Sequence, residues 1–115
     1  YSNPPRHGGA IVATILNSGE LRQRWETEVA AMRSRITKMR ELFVREMKNT
    51  GCKREFTFLL TQAGMFSFSG LNQMQVDWLR KERAIYIVGS GRINVAGITT
   101  TNVQYLCQAI ADSLT

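Results

Sequence analysis

The stretch from Glu20 to Asn49 constrains this chain more than any other part, because it contains neither proline nor glycine. Apolar residues recur in it at spacings of three and four, which is the period of an amphipathic helix. At about 1.5 Å per residue such a helix is roughly 45 Å long, whereas a compact domain of this size is only about 35 Å across. We therefore expect the helix to protrude from a compact domain or to bridge to another one. Its apolar stripe consists of Leu21, Trp25, Val29, Met32, Ile36, Met39, Phe43 and Met47.

The residues before this helix predict an irregular lead-in and one short helix. Prolines and glycines are concentrated between Tyr1 and Gly9, and such a composition is typical of turns and loops. The apolar segment from Ala10 to Leu16 predicts a short helix that ends near Asn17.

The residues after Gly51 predict a small α+β unit. Alternation of apolar and polar residues predicts four strands, at Glu55–Thr61, Met65–Ser69, Ala84–Val88 and Arg92–Val95. The turn Gly89–Gly91 is expected to join the last two. Helical spacing predicts a helix over Leu71–Arg83 with Asn72 as its N-cap, and a final helix over Val103–Leu114 capped by Thr101 or Thr99.

Composition indicates a folded chain without a membrane span. Hydrophobic residues make up 43% of the 115 residues, which argues against disorder, and no apolar run approaches the ~20 residues that cross a bilayer. Cys52 and Cys107 belong to no paired motif, so we expect two free thiols in a reducing compartment and no metal site. A cytosolic location is favoured, and a mitochondrial or other organellar one is left open.

The net charge of +6 supports one alternative function. Eight basic residues lie between Arg22 and Lys48, and a basic helix of this kind can follow nucleic-acid phosphates or an acidic partner. However, glutamates interrupt the run, and no aromatic residues are interleaved on a basic face. We therefore interpret the run as a solvated helix face and expect no nucleic-acid binding.

Arg92 is the residue best placed for chemistry. It lies between Gly91 and a short strand-like run, with Gly89 and Gly97 nearby. Glycines allow tight turns and close backbone approach, so this side chain has a defined direction. A planar guanidinium can bind a carboxylate or a phosphate through two parallel hydrogen bonds, a geometry that lysine lacks.

Four motifs in order cover essentially the whole chain, and together they resemble the C-terminal part of the aspartate aminotransferases, a family of pyridoxal-phosphate enzymes. The motifs are Tyr1-Ser2-Asn3-Pro4-Pro5 with His7-Gly8, Met32-Arg33-x-Arg35-Ile36-x-x-Met39-Arg40, Gly64-Met65-Phe66-Ser67-Phe68-Ser69-Gly70, and Gly89-Ser90-Gly91-Arg92-Ile93-Asn94-Val95-Ala96-Gly97.

The resemblance implies a three-part organisation and a homodimeric parent enzyme. Residues 1–19 would end the large domain, residues 20–50 would form an interdomain helix, and residues 51–115 would form the C-terminal small domain. The lysine that holds pyridoxal 5'-phosphate would lie before Tyr1, and none of the lysines present matches its motif. The chain is therefore expected to be an inactive fragment of an enzyme that transfers amino groups between L-aspartate or L-glutamate and 2-oxo acids. The lysines present are Lys38, Lys48, Lys53 and Lys81.

The resemblance also assigns roles to individual residues. Arg92 matches the arginine that binds the substrate α-carboxylate, and Phe66 matches a phenylalanine that lines the active-site entrance, with core packing as the alternative for Phe66. Tyr1, Ser2 and Asn3 match a segment near the dimer interface. No residue of the chain is assigned as catalytic, cofactor-binding or metal-binding, and His7 is expected to be structural or exposed.

Two further functions stay open beside the aspartate enzyme. One is an aromatic-amino-acid aminotransferase of the same family, because the residues that read the substrate side chain would lie mostly before Tyr1. The other is a non-enzymatic module that binds nucleic acid or an acidic partner through the basic helix.

Overall fold

A computed structural model describes residues 5–115, so the expectation for Tyr1, Ser2 and Asn3 lies outside the described residues. The order of elements confirms a small α+β fold. Helices α1 (Arg6–Asn17) and α2 (Gly19–Asn49) come first, followed by a 3₁₀ turn (Thr57–Thr61), β1 (Phe66–Phe68), α3 (Gln73–Arg83), β2 (Arg92–Asn94), a second 3₁₀ turn (Val95–Gly97) and α4 (Val103–Ser113). Across residues 5–115, no helix is both long and apolar enough to cross a membrane.

The chain divides into two compact units, one ending at Ser34 and the other covering Arg35–Thr115. The second unit contains both strands, α3, α4 and the C-terminal part of α2, together with one hydrophobic core. Helix α2 contains no proline and no glycine after its first residue, and its C-terminal part contributes apolar side chains to this core. The core includes Phe43, Val44, Met47, Phe56, Leu59, Leu71, Val76, Leu79, Ile93, Val95, Ile98, Val103, Cys107 and Ile110.

Side-chain hydrogen bonds organise the chain where the two C-terminal helices start. The Asn72 side chain accepts from the backbone N–H of Gln75 and the Gln75 side chain accepts from that of Asn72, which forms a capping box and confirms the predicted N-cap. For α4, the Thr99 hydroxyl accepts from the Asn102 N–H while the Asn102 side chain accepts from the Thr99 N–H. These bonds lie in the turn before α4, whose N-cap residue is Asn102 and makes no side-chain cap hydrogen bond, so the predicted cap at Thr101 is wrong and Thr99 braces the preceding turn instead.

The predicted strand at Glu55–Thr61 is wrong, because residues Thr57–Thr61 form a 3₁₀ turn. Phe56 and Leu59, three residues apart, are buried, whereas Phe58 and Leu60 are exposed. Three consecutive apolar residues fit both a period of two and a period of three, so periodicity did not distinguish the two structures.

The predicted strand at Ala84–Val88 pairs with no other strand in residues 5–115, and the expected hairpin with Arg92–Val95 does not form. Instead β2 pairs antiparallel with β1, with Phe66 opposite Asn94, Ser67 opposite Ile93 and Phe68 opposite Arg92. The alternation from Ala84 to Val88 is nevertheless real: Ile85 and Ile87 pack against the core, whereas Tyr86 and Val88 are exposed.

Candidate functional site

The two strands bring Phe66 and Arg92 together. In the antiparallel register both residues project from the same face of the sheet, since Phe68 lies directly opposite Arg92 and Phe66 is its diagonal neighbour. The guanidinium carbon of Arg92 lies 4.9 Å from the centroid of the Phe66 ring. This cation–π contact fixes the arginine head beside the ring while leaving its N–H donors available to a ligand.

Strand β1 has an unusual arrangement, with its aromatic residues outside and its polar residues inside. Phe66 and Phe68 are 45% and 61% exposed, whereas Ser67 and Ser69 are buried. Phe66 therefore lies at the surface and does not pack in the core, which was its alternative placement.

Ser69 and Gly91 fix the backbone immediately before Arg92. The Gly91 carbonyl accepts from the Ser69 N–H at 2.9 Å and from the Ser69 hydroxyl at 2.6 Å. Gly91 has a φ of +82°, and a Cβ added there would lie 2.6 Å from the carbonyl oxygen of Leu71. Only glycine fits this position. Ser69 was not singled out by sequence reasoning, although a small polar residue alternating with phenylalanines signals an unusual inward face.

Arg92 and Phe66 border a cavity of about 340 Å³. Among the described residues that line it, Arg92 is the one charged side chain, and none is Asp, Glu or Lys. No carboxylate of residues 5–115 forms an ion pair with Arg92. The cavity is therefore positively charged and suits an anionic ligand. The other residues lining it are Ile85, Tyr86, Ile87, Val88, Ile93, Asn94, Gly97, Ile98, Asn102, Tyr105 and Leu106.

Two arginines of α2 depart from the predicted solvated helix face. Arg35 donates to the carbonyl oxygens of Ala96 at 3.2 Å and Ile98 at 2.9 Å. Arg40 is buried, and desolvation lowers the pKa of its guanidinium below the ordinary value. Its hydrogen bonds go to the segment that leads into β1. Charge counting along the helix did not separate these two residues from their exposed neighbours.

The other predicted residues lie away from the cavity. His7 is exposed in the first turn of α1. All four lysines are exposed, and none lines the cavity. Within the described part of the chain, no group of three or more His, Cys, Asp or Glu residues is arranged to hold a metal ion.

Known proteins resemble this chain closely in sequence. It is 59% identical over 114 residues to an aspartate aminotransferase of Haemophilus influenzae, covering 99% of this chain and 29% of that protein. It is 45% identical over 111 residues to an aromatic-amino-acid aminotransferase of Escherichia coli, covering 96% of this chain and 28% of that protein. The chain thus spans less than a third of the length of these relatives.

Solved structures of aminotransferases also match the fold of this chain closely. An aromatic-amino-acid aminotransferase from Burkholderia pseudomallei, covalently bound to pyridoxal phosphate, is 51% identical with a TM-score of 0.93, covering all of this chain and 29% of that one. A mitochondrial aspartate aminotransferase from Trypanosoma brucei is 37% identical with the same TM-score, covering 100% of this chain and 30% of that one.

The family described as aminotransferase class I and II matches residues 1–110. Because the match covers nearly all of the chain, it shows that the chain belongs to the class I and II aminotransferases.

Proposed function

We propose that this chain is the C-terminal, carboxylate-binding part of an aspartate aminotransferase, which transfers an amino group between L-aspartate or L-glutamate and 2-oxo acids. The single observation that carries the proposal is Arg92, held over Phe66 at the edge of a cavity that contains no opposing carboxylate. The 59% identity to an aspartate aminotransferase supports this choice of substrate.

In this proposal Arg92 binds the α-carboxylate shared by amino-acid and 2-oxo-acid substrates. Two parallel hydrogen bonds from its guanidinium fix both the position and the orientation of one end of the substrate. Phe66 lines the entrance and, together with the apolar cavity wall, keeps water away from this ion pair, which strengthens it. Arg92 thus binds and orients the substrate, and we assign it no proton transfer.

The cofactor of the proposed enzyme is pyridoxal 5'-phosphate, the group bound in the Burkholderia pseudomallei relative. The described residues do not fit this group, because no lysine lines the cavity and Arg92 is its one charged side chain. We therefore assign residues 5–115 to the substrate side of the site and derive no step on the cofactor from them.

The domain arrangement proposed with this function assigns residues 1–19 to the end of a large domain, residues 20–50 to an interdomain helix and residues 51–115 to the small domain. A homodimer is proposed as the working assembly, and the cytoplasm as the location. The small domain would carry Arg92 towards the rest of the site when a substrate carboxylate binds.

An aromatic-amino-acid aminotransferase is the second candidate, favoured by the 51% identity to the Burkholderia pseudomallei enzyme. Both candidates need the same α-carboxylate receptor, so Arg92 does not separate them. In the intact parent enzyme, the ratio of kcat/KM for L-aspartate to that for L-phenylalanine separates them, and we expect the ratio to favour aspartate.

A graft tests the proposed function. We would replace the matching segment of the Escherichia coli aspartate aminotransferase, which is 54% identical over 110 residues, with this chain. The graft should transaminate L-aspartate. Arg92→Ala should lose about 2–5 kcal/mol of transition-state binding, or roughly 30- to 5,000-fold in kcat/KM, and Arg92→Lys should lose less because it keeps the charge.

The matched control is Arg45→Ala, which removes an exposed arginine of α2 and should leave kcat/KM unchanged. If Arg92→Ala behaved like Arg45→Ala in an active graft, Arg92 would not be the carboxylate receptor.

A further inference from the structure

We infer that Arg40 is a positioning residue for the site, which holds strand β1 so that Phe66 and Arg92 meet in the geometry that binds a carboxylate. The inference rests on the proposed function of Arg92. It explains one motif that this function leaves unused, the arginine-rich segment of α2 that ends at Arg40.

The hydrogen bonds of Arg40 all go to one segment. Its guanidinium donates to the carbonyl oxygens of Leu59 at 3.2 Å and Gly64 at 2.5 Å, to the Ser67 hydroxyl, and more weakly to the carbonyl of Phe66 at 3.5 Å. These acceptors lie within nine residues of sequence, from the 3₁₀ turn to the middle of β1. One side chain therefore fixes the path of the whole segment that delivers Phe66.

The charge of Arg40 is expensive to bury, which argues against a role in stability alone. The residue is 5% exposed, and it donates to three carbonyls and a hydroxyl, none of which carries a full negative charge. Replacing a buried charge with an apolar residue of similar size is often neutral or stabilising. A guanidinium is useful here because its donors point in several fixed directions and can hold separate acceptors at once.

Strand β1 needs such support. It has three residues, and its one strand partner among the described residues is β2, which is equally short. An isolated two-stranded ribbon is at best marginally stable. Arg40 binds its inner side through Ser67, while the outer side of the same strand presents Phe66 to Arg92. A shift of β1 therefore moves the ring that holds the Arg92 guanidinium.

The test uses the active graft and measures kcat and KM for L-aspartate in Arg40→Met and Arg40→Lys. Arg40→Met removes all these hydrogen bonds. Arg40→Lys keeps the positive charge but loses the planar guanidinium with its several donors. We expect kcat/KM to fall about ten- to a hundredfold, the effect of a misplacement near 1 Å, with KM raised. Arg40→Lys should fall by less, and it keeps the inference testable if Arg40→Met does not fold.

Two controls separate positioning from stability. Arg45→Met makes the same substitution at an exposed site of the same helix. Leu79→Ala opens the core in α3, away from the cavity, and should lower the unfolding temperature. Both should keep kcat/KM within about twofold at a temperature where they are folded, a spread near the usual additivity error for distant sites.

A double-mutant cycle gives the decisive result. If Arg40 acts by placing Arg92, then Arg40→Met should cost much less kcat/KM in the Arg92→Lys background than in the parent graft. Independent, multiplying losses would overturn the inference, as would an unchanged kcat/KM in Arg40→Met or, if that variant does not fold, in Arg40→Lys. If Arg92→Ala itself had no effect, the proposed function would fail instead, so the two failures are distinguishable.

Discussion

The thiol of Cys107 shows how strongly the core controls a single residue. Cys107 is fully buried in α4, and its Sγ donates to the Phe43 carbonyl at 3.6 Å. Burial, together with the nearby negative charge of Glu46, raises the pKa of the Cys107 thiol from 9.0 to about 12. Because the thiolate is the reactive form, the folded protein suppresses the chemistry of this residue.

We predict that Cys107 stays unmodified by a thiol-reactive chromogenic disulfide at pH 8. The shift from 9.0 to about 12 lowers the thiolate fraction roughly a thousandfold relative to the unfolded chain. Half-buried Cys52 serves as the internal control, and Cys107→Ala assigns the signal. Rapid release of two equivalents from the native protein would contradict the prediction.

The same shift sets a pH dependence of stability. The folded state holds the thiol proton more tightly than the unfolded state, so this contribution is complete below pH 9 and is lost as the pH rises towards about 12. Titration of the unfolding midpoint against pH, compared with Cys107→Ala, measures it.

Single residues differ in how clearly the sequence indicates their role. Glycines beside Arg92 mark a special backbone, and the resemblance gives that arginine a role. Arg40 lies among other basic residues of one helix, and only the tertiary contacts of its guanidinium distinguish it. Burial of a polar side chain depends on what the fold brings against it, and no local pattern records that.

At the scale of elements, the two-stranded ribbon of β1 and β2 is extended by the hydrogen bonds from Ser69 to the Gly91 carbonyl. The prediction is that Gly91→Ala destabilises the chain by about 1–3 kcal/mol, as overpacking does, because its Cβ would meet the Leu71 carbonyl at 2.6 Å and φ is positive. Gly97→Ala is the matched control, since nothing lies within 4 Å of the Cβ it adds.

Urea unfolding followed by circular dichroism measures both glycine variants. A lower midpoint for Gly91→Ala alone, with an unchanged slope, is expected. Equal midpoints for the two variants would mean that the ribbon tolerates a side chain at position 91.

The long helix, α3, α4 and both strands of the ribbon were predictable from period and caps. The short helix α1 was predicted only in part, because it begins at Arg6 and not at Ala10, inside the stretch that its glycines marked as irregular. The 3₁₀ turn was not, because Phe58, Leu59 and Leu60 satisfy two periods at once. The segment from Ala84 to Val88 has strand-like alternation without a strand partner in residues 5–115, since alternation reports which side chains are buried and not which backbone is paired.

At the scale of the whole molecule, the charge of +6 favours only non-specific binding to nucleic acid. Arg35 and Arg40 bind backbone carbonyls of the chain itself, which removes two cations from the basic helix. We expect binding to a labelled duplex no tighter than about 1 µM at physiological salt, the range of non-specific contacts.

Fluorescence anisotropy at several salt concentrations measures this affinity, with Arg45→Glu and Lys48→Glu as charge-reversal variants of exposed positions. Nanomolar binding that these reversals abolish would favour the nucleic-acid module over the enzyme.

The exposed phenylalanines and buried serines along β1 have a consequence for protein engineering. A redesign that places polar residues at exposed positions and apolar residues at buried ones would replace the exposed Phe66 and Phe68 with polar residues. It would also replace the buried Ser67 and Ser69 with valine. Each change would look favourable by hydropathy, yet together they would remove the ring under Arg92, an acceptor of Arg40 and the hydroxyl bound to Gly91. Automated optimisation of this fold should therefore hold these four positions fixed.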